Sequence, residues 1–283
     1  MLLRRAITAV ILAIFFVAVA TQVSPVIFAH IMTGTMMLVS WEWSTLAGLR
    51  STWQKVSFVG GILGAIVLLY FFLGIPANYE DVIAERVAVI LCLGSFFWFL
   101  SFFLLLGYPE NRDSWHDPLK ISLGGLIVIV SAWCGLVQLK YMVEGGELVL
   151  MIAVLVAATD VGGYFFGRSF GKAKLAVELS PNKTWAGVWG ALGLTIIVSF
   201  PVIWVFNETI LRMNYLQNSS LFILILVVVF FSIVGDLLES MLKRNQNIKD
   251  SGTMLPGHGG LLDRVDGLIA VIPIFTLVVM KIF

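Results

Sequence analysis

The chain has 283 residues, 59% hydrophobic and 12% charged, with a mean hydropathy of +0.98 and a formal net charge of +1. A soluble domain is about half apolar and about a quarter charged, so this composition excludes one. Ten-residue stretches of alternating polarity, the mark of a membrane barrel, are absent, and long apolar runs take their place. The expected fold class is an all-α polytopic integral membrane protein.

In chain order the apolar runs predict nine transmembrane helices, at 6–23, 26–41, 56–75, 87–106, 121–139, 148–167, 185–206, 219–241 and 261–281. The first follows Arg4 and Arg5 and has the look of a leader, but eight further runs follow it and it is read as a span. The second is the weakest, being short and carrying His30 and several polar residues. Nine spans with a cytosolic N-terminus put 14 of the 18 basic residues inside, leaving Arg86, Lys140, Arg212 and Lys281 outside. Omitting the second span spoils this asymmetry. Residues 1–110 read as a transmembrane scaffold and 111–283 as a catalytic region with its site at the cytosolic edge. Cys92 and Cys134 lie inside apolar runs and read as small hydrophobes.

Three spans carry a carboxylate short of their cytosolic ends. Fourteen uncharged residues separate Asp266 from Lys281, about 21 Å of helix against a hydrocarbon core of about 30 Å. Twelve residues separate Glu147 from Asp160, and 17 separate Asn218 from Asp236. A carboxylate at such depth costs several kcal/mol unless it is partnered. Spacing then selects faces. Asp263 and Asp266 share one helix face, and Asp236, Glu239, Ser240 and Lys243 form a polar stripe on another helix. If the stripes face each other, three or four carboxylates converge and a divalent cation is the usual remedy; all-oxygen ligands favour Mg²⁺, Mn²⁺ or Ca²⁺. The plainer possibility is a structural ion network with Lys243, Arg244 and Arg264.

Two basic segments flank this cluster. In "KRNQNIKDSGTMLPGHGG" the glycines Gly257, Gly259 and Gly260 precede a helix N-terminus, a place where backbone amides receive phosphate. His258 in the same loop is suited to a phosphate contact or to a loop-building role. In "SPNKTWAG", Ser180 and Pro181 read as an N-cap and first helical residue, putting Lys183 in a first turn where its charge opposes the helix dipole unless an anion sits there.

Residues 240–266, "SMLKRNQNIKDSGTMLPGHGGLLDRVD", resemble the signature of the phosphatidate cytidylyltransferases, also called CDP-diacylglycerol synthases. "GDLLES", "SPNKTWAG" and "DVGGYFFGRSFGK" look like further blocks of that family, and "WEWSTLAG" is similar to its second-span exit. Ala186 departs from the pattern, where many members carry Glu or Gln. The resemblance implies transfer of a cytidylyl group from CTP to phosphatidate with Mg²⁺, giving CDP-diacylglycerol and pyrophosphate. It implies metal ligation by Asp236, Asp263 and Asp266, and essential roles for Lys243, Arg244 and Lys249. Ser180, Lys183, Ser240, Arg244, Asp250, His258, Gly259 and Arg264 become the substrate-binding positions. Whether a second, monovalent cation joins the Mg²⁺ is left open. The implied setting is the bacterial inner (cytoplasmic) membrane, with a homodimer as the assembly and no nucleic-acid partner. A cation-coupled transporter and a CTP-dependent lipid-alcohol kinase are the competing functions; flux without CTP marks the first, and CDP as product marks the second.

Overall fold

A computed structural model describes residues 2–75, 84–110, 115–209, 215–255, 257 and 259–282. Arg112, Arg212 and His258, which enter the charge count and the site expectation above, lie outside the described residues. The described helices are α1 (Leu2–Gln22), α2 (Pro25–Leu46), α3 (Thr52–Phe72), α4 (Ala84–Leu106), α5 (Pro118–Met142), α6 (Glu147–Phe170), α7 (Trp185–Thr209), α8 (Tyr215–Asn245) and α9 (Leu262–Ile282). Each corresponds to one expected apolar run. By length and composition, seven of them, α3 to α9, are able to cross a membrane, while α1 and α2 fall outside that set. A polytopic helical membrane protein is therefore what the chain forms.

Local chemistry starts and stops these helices where the site needs them. Ser24 precedes Pro25 and caps α2, Ser51 and Gln54 form a reciprocal capping box on α3, and Asp117 caps α5 ahead of Pro118. The end of α8 is a Schellman motif: Ile248 N–H donates to the Lys243 carbonyl, Asn247 N–H to that of Arg244, and Asn247 takes φ 56°. α8 therefore runs 31 residues, about 46 Å, longer than a hydrocarbon core of about 30 Å, with Lys243 and Arg244 in its last turn.

The central helix is α5, whose membrane-spanning window is 78% buried. Trp133 on α5 donates to the Ala29 carbonyl and Thr33 Oγ1 of α2, and Trp43 on α2 donates to the Ile121 carbonyl at 2.9 Å. At the far end of α5 the buried Lys140 donates to the carbonyls of Ala20 and Glu144. α6 and α7 meet through glycine: a Cβ on Gly162 would strike the Gly190 carbonyl, and one on Gly187 would come within 2.9 Å of the Gly163 carbonyl oxygen. Lipid tails offer no hydrophobic drive between helices, so such close backbone contact supplies the packing.

One element departs from the expectation. Residues Lys174–Ala176 (β1) and Ser180–Thr184 (β2) pair as an antiparallel hairpin, Lys174 with Thr184 and Ala176 with Ser180. Ser180 and Pro181 therefore do not open a helix. Thr184 does: its Oγ1 accepts from Gly187 N–H at 3.2 Å. The reason is tertiary: the 174–176 segment folds back alongside 180–184 and pairs its backbone groups, which overrides the local helix-opening preference of Ser-Pro.

Candidate active site

The C-terminal ends of α2, α6 and α8 and the N-terminal ends of α7 and α9 meet at one end of the bundle, and the charged side chains gather there. α8 and α9 are brought together by two glycines. A Cβ on Gly235 would lie 2.6 Å from the Asp266 carbonyl oxygen, and one on Gly267 would lie 2.6 Å from Ser232 Oγ. Each glycine sits next to an acidic residue, so the closest approach of the helices sets Asp236 beside Asp266.

The polar stripe of α8 forms as its spacing predicts. Ser240 Oγ–H donates to Asp236 Oδ1 at 3.3 Å, and Lys243 Nζ lies 2.6 Å from Glu239 Oε2. From α9, Asp263 Oδ1 meets the same Lys243 at 2.7 Å. Lys243 thus bridges two helices through two carboxylates, with side-chain exposures of 14% for Lys243, 4% for Glu239 and 8% for Asp263. Asp263 also receives the N–H groups of Ser251 and Gly260, the latter at 2.8 Å. Glu239 Oε1 is buried without a hydrogen-bond partner among the described residues.

A second group lies beside the first. Asp160 from α6, Asp236 from α8 and Asp266 from α9 act on one another as like charges, with Lys183 and Arg264 the cations acting on Asp160. Asp266 Oδ1 accepts from Gly267 N–H at 2.8 Å. Lys183 arrives on β2, 2.7 Å from Asp236 Oδ2, with its ammonium also 3.5 Å from the Ile233 carbonyl oxygen. Lys183 was expected in a helical first turn beside an anion; it reaches Asp236 instead from a hairpin, one residue ahead of the Thr184 cap of α7.

The expected trio of Asp236, Asp263 and Asp266 is divided between these two groups. Asp236 and Asp266 stand together with Asp160, whereas Asp263 is engaged by Lys243 and two backbone amides. The two groups are close enough for the Glu239 and Asp266 carboxylates to repel each other. Among the described residues no three acidic, histidine or cysteine side chains already form a metal-ligating set. The chemistry of the donors nevertheless suits a hard cation: Asp160, Asp236, Glu239, Asp263 and Asp266 against Lys183, Lys243 and Arg264 leave a formal excess of two negative charges, that of one divalent ion. Arg244, Lys249 and Asp250 are exposed along the rim, Ser180 is half-buried in β2, and Gly259, with φ 88°, forms an isolated bridge with Leu255.

The N-terminus of α9 holds a residue that spacing did not reveal. Its first amides, expected to meet phosphate, are taken by carboxylates of the chain itself. Gly260 N–H goes to Asp263, while Leu261 and Leu262 donate to Glu42 at 3.0 and 2.7 Å. Glu42 belongs to α2, which continues to Leu46 instead of ending near residue 41. α2 is thereby tied directly to the loop before α9. A carboxylate among tryptophans in "WEWSTLAG" was the available signal, since an intramembrane charge is a functional pointer by default.

A family model described as "Cytidylyltransferase family" matches residues 3–283. The chain is 35% identical over 278 residues to the phosphatidate cytidylyltransferase of Pseudomonas aeruginosa, covering 97% of this chain and 96% of that one. It is 32% identical over 286 residues to that of Haemophilus influenzae, covering 98% of each, and 31% identical over 230 residues to that of Bacillus subtilis, covering 80% of each.

Proposed function

The chain belongs to the cytidylyltransferase family, and from that premise we infer that it is a phosphatidate cytidylyltransferase, joining CTP and phosphatidate into CDP-diacylglycerol in phospholipid biosynthesis. The observation that carries this is the extent of the likeness, which spans nearly the whole chain.

The residues suit the reaction. The nucleophile is a phosphate monoester, anionic at neutral pH, so no strong general base is needed. One of its oxygens bonds to the α-phosphorus of CTP in line with the departing group; the bond from that phosphorus to the bridging oxygen breaks, and pyrophosphate leaves with the electron pair. The difficulty is bringing two polyanions together. Lys183 on its hairpin, Lys243 and Arg244 at the end of α8 and Lys249 in the loop beyond it supply cations for the triphosphate and the leaving pyrophosphate. His258, Ser180, Ser240, Asp250, Gly259 and Arg264 complete the substrate-binding set. Asp236 and Asp266, with Asp160 beside them and Asp263 on the adjoining Lys243 network, would hold Mg²⁺. That ion would supply screening between the two phosphates and stabilise charge on the attacking and leaving oxygens.

Nine spans with a cytosolic N-terminus put this end of the bundle at the cytosolic face of the bacterial inner membrane. Phosphatidate then arrives sideways from the bilayer and CTP from water. Catalytic residues fall in 111–283 and the scaffold in 1–110. The protein works as a homodimer.

The test is incubation of the purified protein with radiolabelled CTP and phosphatidate, with and without Mg²⁺. CDP-diacylglycerol and pyrophosphate formed only with the metal are expected. CDP with a phosphorylated alcohol would assign a kinase instead, and absence of any CTP-derived product would remove the reading.

A further inference from the structure

We propose that Glu42 is a positioning residue for the reaction: from the second helix it grips the loop before α9 and so holds Asp263, Lys243 and Asp266 in register. The proposal rests on the cytidylyltransferase reading above, since that reading gives those three residues their work.

The geometry is a convergence of donors on one buried carboxylate. Glu42 is 1% exposed. Its Oε1 accepts from Leu261 N–H at 3.0 Å, and its Oε2 accepts from Leu262 N–H at 2.7 Å and from Ser251 Oγ–H at 3.1 Å. Two of these amides open α9, where unpaired N–H groups and the helix dipole favour a negative charge. A charge in so buried a place persists only when its oxygens are satisfied in this way.

Ser251 and the 260–262 backbone link Glu42 to the site. Ser251 gives its hydroxyl to Glu42 and its N–H to Asp263. Gly260 gives its N–H to Asp263, and the next two amides go to Glu42. The two carboxylates therefore share one short stretch of backbone, and any shift of Glu42 is felt at Asp263, then at Lys243 and the α8 stripe.

A second observation is independent of these bonds. Gly257 and Gly259 have positive φ, but Gly252 and Gly260 are not among the positive-φ glycines. Their need for glycine is spatial: a Cβ on either would collide with the Glu42 carboxylate. The loop is thus shaped around a side chain from a distant helix.

A glutamine at position 42 is nearly isosteric but replaces one acceptor oxygen with a donor. Either Leu261 N–H or the Ser251 and Leu262 pair then faces an N–H₂ group. The experiment compares wild type, Glu42→Gln and Gly252→Ala with Lys140→Met, a buried substitution at the opposite end of α5. It measures kcat, the KM values for CTP and phosphatidate, the detergent unfolding midpoint, and amide hydrogen exchange by mass spectrometry. Expected for Glu42→Gln is a kcat loss of at least tenfold, a phosphatidate KM within twofold of wild type, and faster exchange confined to residues 248–266. Gly252→Ala should reproduce the pattern at smaller amplitude. A kcat within twofold of wild type, unchanged exchange in 248–266, or an equal kcat loss in Lys140→Met at the same midpoint would overturn the proposal. Failure of wild type to form CDP-diacylglycerol would instead strike the functional reading, and the exchange result would still decide whether Glu42 holds the loop.

Discussion

Lys183 Nζ stands 2.7 Å from Asp236 Oδ2, a contact between a β-hairpin and a transmembrane helix that are remote in sequence. The side chains are 21% and 44% exposed, so the pair is reachable by solvent and contributes little to stability. Its position matters more: the ammonium sits against Asp236 and the Ile233 carbonyl, within the acidic cluster and within reach of solvent.

Lys183→Ala should therefore leave the unfolding midpoint within a few degrees of wild type while raising the KM for CTP about tenfold or more, the loss of a charge-assisted phosphate contact of about 1.5–3 kcal/mol. Lys183→Arg should keep part of the affinity. Steady-state kinetics at varied CTP check both.

Asp236→Asn and Asp266→Asn should each abolish turnover with the fold intact, because both side chains belong to the like-charged group and losing a charge there relieves repulsion. Asp263→Asn should abolish turnover and also lower the unfolding midpoint, since Asp263 holds Lys243 and two backbone amides. Product formation from radiolabelled CTP, paired with thermal unfolding in detergent, separates the two behaviours. Titrating Mg²⁺ against residual activity shows whether the first pair sets the metal requirement.

Lys243→Met strands two largely buried carboxylates, and the expected destabilisation is about 3–5 kcal/mol. Adding Glu239→Gln should recover part of that stability and none of the activity. Recovery of turnover in the double variant would make Lys243 a structural bridge only.

Gly235→Ala places a methyl group 2.6 Å from the Asp266 carbonyl oxygen. Helices α8 and α9 must then separate, at a cost of about 1–3 kcal/mol. The expected result is a loss of kcat exceeding that of a control at Gly193, where an added Cβ meets nothing within 4 Å. Equal activities in the two variants would show that the approach of Asp236 to Asp266 is not limiting.

Much of this site was legible beforehand because its signals are local. The Asp236, Glu239, Ser240 and Lys243 stripe follows from helical periodicity, and the hydrogen bond and ion pair along it are the i to i+4 contacts that period dictates. Lys183 was expected in a helical first turn, and its setting was misread. Ser-Pro is a helix-opening dipeptide by composition, and the strand pairing that overrides it depends on residues 174–176, which carry no strand pattern of their own.

What the sequence determined by itself is the class, the apolar spans and the residues able to do the chemistry, since hydropathy and charge are properties of each short segment. What the tertiary structure decided is which charges share a neighbourhood. It divided the three aspartates between two groups, added Asp160 to one of them, and brought Glu42 more than two hundred residues along the chain to the start of α9. No periodicity encodes such meetings. They arise because a buried carboxylate must find donors and a helix N-terminus must find acceptors, and only the packing of α2, α8 and α9 determines which of them meet.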